Sequence, residues 1–305
     1  MRYMIPENTD KGKIMEYKIA CGNLQATVDT HGAELVSLKK GDREYIWTAD
    51  KSYWGRHAPV LFPFVGSLAG GAYTYGGKHY KMGQHGFARD CEFALEEISQ
   101  EEAKMTFVLR NSEETYSVYP FHFELRIAYQ LQEDSLAVTW RVTDTDEKPL
   151  HFSLGGHPGF LCPFTQDGHE YSVQLRKNGK VLPEIRVKYL EGSVVGTDEK
   201  RIALENGMLP LSHDLFVGDA LILEQAQLSH AALCEDGTPY VGVSFEAPVA
   251  GIWSPAGKDA PFVCIEPWFG RADRSGFAGT LEEREYGNKL YHGASFEAGY
   301  SIEIY

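Results

Sequence analysis

No Cys-x-x-Cys occurs in this chain. Its five cysteines, Cys21, Cys91, Cys162, Cys234 and Cys264, are odd in number and widely spaced. Neither a disulfide framework nor a cysteine-based zinc site is indicated; thiols in a reducing cytosol are the expectation. Long apolar runs are missing too. None approaches the roughly 18 residues that a membrane span needs. Met1 to Lys13 is polar and charged, without the apolar centre of a signal peptide. Positive charge is in short supply: 29 Lys and Arg stand against 43 Asp and Glu, a net charge of -14. Such a surface repels nucleic acid and anionic lipid, so neither is expected as a partner. Helical periodicity is scarce, and Leu281–Tyr286 is at most a short turn of helix. No internal repeat, low-complexity tract or linker interrupts the chain.

Short alternating segments separated by Gly, Pro, Asn and Asp are abundant. Tyr17–Cys21 and Leu24–Asp29 flank Gly22-Asn23, a two-residue hairpin signal. Phe121–Leu131 and Ser135–Thr143 are the longest strand patterns. In the second, Leu136, Val138, Trp140 and Val142 fall on one face. Many such strands without a linker predict an all-β antiparallel sandwich. The 305 residues suffice for one large β domain, expected over 15–305, with residues 1–14 as a flexible extension.

Three stretches gain little for a fold and much for a binding site. The first is Gly83-Gln84-His85-Gly86-Phe87-Ala88-Arg89-Asp90. The second is Gly155-Gly156-His157-Pro158-Gly159-Phe160. The third is Ile265-Glu266-Pro267-Trp268-Phe269-Gly270-Arg271-Ala272-Asp273. Glycine lets a backbone approach a ligand, histidine can move a proton, and arginine forks onto oxygens. Pro158 restricts His157 to extended geometry, which suits a rigid loop. A core histidine bonded to a carbonyl fits the same pattern. Glu266 ends the apolar run Phe262–Ile265 beside Trp268. Desolvation there would raise its pKa and make it a proton acceptor near neutrality. A structural ion pair with Arg271 or Arg274 is the alternative. Asp219, at the mouth of Ala220–Leu223, could hold sugar hydroxyls or serve only its Gly-Asp turn. Arg56 and Arg89 could bind hydroxyls or a phosphate, or form surface salt bridges. Trp54, Phe87, Phe160 and Trp268 would give such a site aromatic walls, which suits a small polar ring. The candidate histidines lack metal-ligand spacing, so no metal is expected.

Together these motifs resemble the aldose 1-epimerase, or galactose mutarotase-like, family, in its LacX-like branch. Trp54-x-Arg56 with Pro59-x-Leu61-Phe62-Pro63, and the opening His31-Gly32-Ala33-Glu34-Leu35, extend the resemblance from about Met15 to the C-terminus. The resemblance implies a β super-sandwich with an open cleft and neither metal nor organic cofactor. It implies interconversion of the anomers of a sugar or sugar phosphate. His157 matches the family's general acid and Glu266 its general base. His85 matches a second histidine at the sugar, and Asp219 a hydroxyl-binding aspartate. Ser67 stands where galactose mutarotases carry arginine, and Gly159 where they carry tyrosine; both point away from galactose as the preferred sugar. In related hexose-6-phosphate epimerases the arginine corresponding to Arg89 helps bind phosphate.

Two other functions fit the same residues. A sugar sensor on this fold would need no matched acid and base. A glycoside hydrolase would pair Glu266 with Asp219 or Asp273, and needs the carboxylates about 5–10 Å apart.

Overall fold

The computed structural model describes residues 15–164 and 168–305, so the extension expected over 1–14 lies outside the described residues. The chain is an antiparallel β super-sandwich. One sheet of ten strands runs in the order Lys180–Val181, Tyr171–Lys177, His230–Glu235, Thr238–Phe245, Ser295–Ile304, Ser135–Asp144, Phe123–Leu131, Lys104–Arg110 and Ala94–Ser99, with Met208–Pro210 beside Tyr171–Lys177. The second, of eight strands, runs Val194–Ala203, Glu184–Glu191, Leu221–Leu223, Val249–Trp253, Phe262–Phe269, Leu154–Gly156 and Val60–Leu61, with Gly159–Leu161 also on Phe262–Phe269. The N-terminal hairpins form a separate four-stranded meander from Glu16 to Glu44.

The alternation read from Ser135–Thr143 is the packing observed. Leu136, Val138, Trp140 and Val142 are buried, while Thr139 and Arg141 face solvent. Facing residues of Phe123–Leu131 repeat the pattern, and both feed one core that also takes Val263, Ile265 and Ile252 from the other sheet. None of the five cysteines is in a disulfide.

Three elements depart from the sequence reading. Glu113–Val118 is an α-helix, opened by a capping box in which Ser112 and Thr115 exchange side-chain-to-backbone bonds. Val194–Ala203 is a ten-residue strand; its Thr-Asp-Glu-Lys-Arg run lies exposed on a sheet edge, where polarity is no obstacle. The strand containing Glu266 does not stop at Ile265 but continues through Pro267 to Phe269.

That continuation creates the site. Proline has no N–H to give a neighbouring strand, so an interior strand rarely carries one. Opposite Glu266 and Pro267 the partner strand is broken. Gly155 pairs with Trp268 and Gly159 with Cys264, and His157-Pro158 occupies the gap. Pro158 lacks an N–H as well. The His157 backbone stays in register with Val60–Leu61 on its other side, donating to the Pro59 carbonyl at 3.1 Å, and its side chain meets Glu266.

Candidate active site

Glu266 and His157 are in contact. Nε2 of His157 lies 3.3 Å from Oε2 of Glu266, and both residues are buried. The indole N–H of Trp268 donates to the same carboxylate oxygen at 3.2 Å. Burial pushes the Glu266 carboxyl well above the usual carboxylate range; the Trp268 bond opposes this and the Asp219 charge adds to it. Burial likewise pushes the His157 imidazole down to about 3; a bond to its own backbone opposes this, and the nearby Arg89 and Arg56 charges add to it. Both shifts favour the uncharged form of the pair over an ion pair.

The imidazole is boxed by rings. Trp54 stacks on it at 4.7 Å between centroids, and Trp253 and His85 meet it edge-on at 5.4 and 5.6 Å. Its Nδ1 is buried with no hydrogen-bond partner from another described residue, so the surrounding rings do most to set its plane.

His85 sits at φ +67, a backbone region that costs a non-glycine residue energy and is found where surroundings over-determine it. Its surroundings do so. The Gly66 N–H donates to its Nδ1 at 3.1 Å, and its own N–H donates to the Gly66 carbonyl at 2.9 Å. An accepting Nδ1 places the ring proton on Nε2. Burial first, then the His157 and arginine charges, hold this imidazole neutral. Gly86, at φ +72, makes the adjoining close approach: a Cβ there would stand 2.3 Å from the Phe62 carbonyl oxygen.

These groups line one cavity of about 280 Å³. Its wall includes Trp54, Trp253 and Trp268, and its polar groups include His85, His157, Glu266, Asp219 and Arg89. Six of the seven expected site residues thus converge. Asp219 also occupies positive φ, at +70, and its carboxylate accepts from the Ala220 N–H at 2.7 Å, so turn chemistry and cavity position coexist. Arg89 donates to the Gln84 carbonyl at 2.8 Å, while its buried Nε has no hydrogen-bond partner among the described residues.

Arg56 is the exception. Its guanidinium is spent on Asp90 at 2.7 Å and on the Arg89 carbonyl at 3.4 Å, and it does not line the cavity. The expected substrate contact from Arg56 gives way to a buttress behind Arg89.

The ion pair that competed for Glu266 does not form. Arg271 is held by Glu224 at 2.5 Å and by Glu285, and Arg274 by Glu285 at 3.4 Å. Asp273 is equally occupied. It accepts from Arg284 at 2.6 Å and from the Ala69 N–H at 2.8 Å, and it does not line the cavity. Its pairing with Glu266 in a hydrolase is thereby removed. The His31–Glu34 opening serves the scaffold. Glu34 accepts from the His57 and Ala58 N–H groups at 2.6 and 2.8 Å, fixing the loop behind Trp54.

Sequence reasoning missed Trp253, Ser193 and Gln84 as lining residues. Gln84 stood inside a motif already singled out. Ser193 follows Gly192 at the tip of the hairpin between Glu184–Glu191 and Val194–Ala203, and was lost with the polar strand. Trp253 had no signal beyond its strand. Donor atoms of His157, Cys264 and Glu266, from two separate segments of the chain, lie within 4.8 Å of one another.

The family model for aldose 1-epimerase matches residues 15–273. The chain belongs to the aldose 1-epimerase family. It is 30% identical over 285 residues to the chromosomal LacX protein of Lactococcus lactis subsp. lactis, covering 90% of this chain and 94% of that protein. Among solved structures it is similar to a galactose mutarotase related enzyme from Lactobacillus acidophilus, with a TM-score of 0.86 and 37% identity over 95% of this chain and 97% of the other. A galactose mutarotase-like protein from Lactobacillus casei ATCC 334 superposes with a TM-score of 0.87 at 32% identity, over 95% and 100% of the two chains. The family fold therefore extends well beyond the three motifs.

The indole of Trp268 rests on a strand that leaves it no slack. A Cβ on Gly251 would stand 2.5 Å from the Trp268 ring. Gly251→Ala is expected to displace the indole, weaken its bond to Glu266 and cost about 1–3 kcal/mol in stability. Urea denaturation read beside turnover checks this, and a variant with wild-type midpoint and activity would contradict it.

Proposed function

We propose that this protein is an aldose 1-epimerase that interconverts the α and β anomers of a hexose or hexose phosphate by proton transfer alone. The observation that carries the reading is the 3.3 Å contact between Glu266 and His157 inside an aromatic-walled cavity. Anomerisation acts on two oxygens of one carbon, the C1 hydroxyl and the ring oxygen. The acid and the base must therefore both reach the atoms around C1, one on each side of it. Hydrolysis by paired carboxylates wants them about 5–10 Å apart.

In the proposed reaction Glu266 takes the C1 hydroxyl proton and His157 protonates the ring oxygen. The C1–O5 bond breaks to the open-chain aldehyde. Rotation about C1–C2 presents the other carbonyl face, and ring closure returns both protons. The reacting form is the ionised tautomer of the pair, reached by moving its one proton from Glu266 to His157. Sugar hydroxyls and the His85 Nε2–H then supply polar partners for that charge. His85 donates to a sugar oxygen, Asp219 accepts from a hydroxyl, and the indoles pack against the apolar faces of the ring. Freshly dissolved pure anomers of a panel of aldoses and hexose 6-phosphates, followed by polarimetry or NMR exchange, test the reading. At least one sugar should mutarotate far faster with enzyme. Sugar binding without any acceleration would turn the reading to a sensor.

Arg89 separates the substrate classes. Losing a charge-assisted hydrogen bond costs about 1.5–3 kcal/mol, so Arg89→Ala is expected to raise KM roughly 10–100-fold. An effect confined to sugar phosphates identifies a phosphate at this corner. An unchanged KM for every accepted substrate removes Arg89 from the site.

A further inference from the structure

A strand sends residues two apart to the same face. Cys264 therefore projects from the same face of the strand as Glu266, one step beyond the break that His157 fills. The sulfur of Cys264, a ring nitrogen of His157 and a carboxylate oxygen of Glu266 lie within 4.8 Å of one another, and all three residues are buried. Among the described residues no other group of His, Cys, Asp and Glu gathers this way.

We propose that Cys264, His157 and Glu266 form a binding site for a thiophilic divalent cation, Zn²⁺ foremost, and that the bound ion blocks the catalytic pair. One thiolate, one imidazole and one carboxylate are a donor set that suits zinc. Tetrahedral zinc with bonds of about 2.0–2.3 Å keeps its donors roughly 3.3–3.8 Å apart. His157 and Glu266 already stand at 3.3 Å, and the Cys264 sulfur lies within 4.8 Å of both. A thiolate and a carboxylate together neutralise the dication, which offsets the cost of burying its charge. Trp268, donating to Glu266, supplies the outer hydrogen bond that orients a ligating carboxylate. Glu266 and His157 line the cavity and Cys264 lies beneath them, so an ion enters from the sugar side and keeps one coordination position open towards it. Binding displaces the thiol proton, and any proton held between Glu266 and His157, to solvent. The ion then occupies the lone pairs that proton transfer needs. Only this inhibitory half rests on the proposed function.

Zn²⁺ titrated calorimetrically into chelator-treated protein, with Co²⁺ followed in parallel by absorption, tests the site. We expect one ion per chain at the site, a cobalt–thiolate charge-transfer band, and proton release that scales with buffer ionisation enthalpy. Cys264→Ala should lose the band and bind Zn²⁺ on the order of 100-fold more weakly, at the low end of zinc's thiolate preference. Cys264→Ser, closer in shape to the native residue, gives the same comparison if the alanine variant folds poorly. In the activity arm, chelated wild type is fully active, Zn²⁺ inhibits it and EDTA restores it. Cys264→Ala keeps basal activity and loses the sensitivity. Zn²⁺ affinity unchanged in both cysteine variants, or absence of the cobalt–thiolate band, overturns the site. Zinc bound through Cys264 without inhibition overturns the block. Zinc bound in this way to a protein that mutarotates no sugar supports the site and overturns the epimerase reading instead.

Discussion

Glu266→Gln protein is expected to fold, to bind sugar within about tenfold of wild type, and to lose on the order of 10³-fold or more in kcat. The three parts have separate causes. The amide has the shape of the carboxyl group, and its oxygen can still accept from the Trp268 N–H that lies 3.2 Å from Oε2. Burial holds Glu266 well above the usual carboxylate range, which favours the neutral acid over the carboxylate. Glutamine resembles that form, so folding loses no charge interaction and stability should be kept. In the proposed site, sugar affinity would rest on His85, Asp219, Arg89 and the indoles, which the substitution leaves in place. What disappears is the ability to take a proton from the C1 hydroxyl and, equally, to supply the pair's single proton. NMR exchange measures turnover, calorimetry measures binding, and a thermal melt checks the fold. Near-normal mutarotation by the folded variant would sink the mechanism.

Much of this was legible in the chain because the relevant signals are local. Period-two alternation, as in Leu136, Val138, Trp140 and Val142, reports a half-buried strand directly. Glycine and proline beside histidine report a backbone that is positioned rather than merely folded, and His85 and Asp219 both proved to sit at positive φ. The misses share another cause. Val194–Ala203 is a strand because it pairs with Glu184–Glu191 at an edge, and an edge does not demand apolar residues. Arg56 looked like a ligand arginine because nothing in its own segment shows that Asp90, from another loop, would take its charge.

Cys264 teaches the same lesson inside the site. Two residues from Glu266 in sequence, it gains a third partner only because Pro267 and Pro158 together break a ladder between strands more than a hundred residues apart. Ligand spacing is a reliable signal on one element. It is silent when a sheet assembles the set from two. The structural alternatives to catalysis for Glu266 were likewise decided at a distance, when Glu224 and Glu285 claimed Arg271 and Glu285 claimed Arg274.

His157→Asn is expected to lower kcat by about 10²–10⁴-fold while changing sugar affinity little. Combining it with Glu266→Gln is expected to cost no more than the worse single variant. The reason lies in the proton inventory. Burial pushes the His157 ring down to about 3, so alone it carries no proton to give near neutrality. In the proposed pair it can act as an acid only through Glu266, 3.3 Å away, with which it would exchange a shared proton. Removing Glu266 therefore disarms His157, and removing His157 leaves Glu266 with no route to the ring oxygen. Groups that work as a unit lose their function together, and their losses do not multiply. Asparagine keeps a polar group at the break in the sheet but can neither accept nor release a proton at this pH. Stacking against Trp54 is lost, so a modest fall in melting temperature should accompany the substitution without unfolding the protein. The measurement is a double-mutant cycle on kcat by NMR exchange, using whichever sugar the wild type turns over fastest. Losses that multiply across the cycle would mean that the two residues serve independent steps, and the shared-proton pair would have to be abandoned.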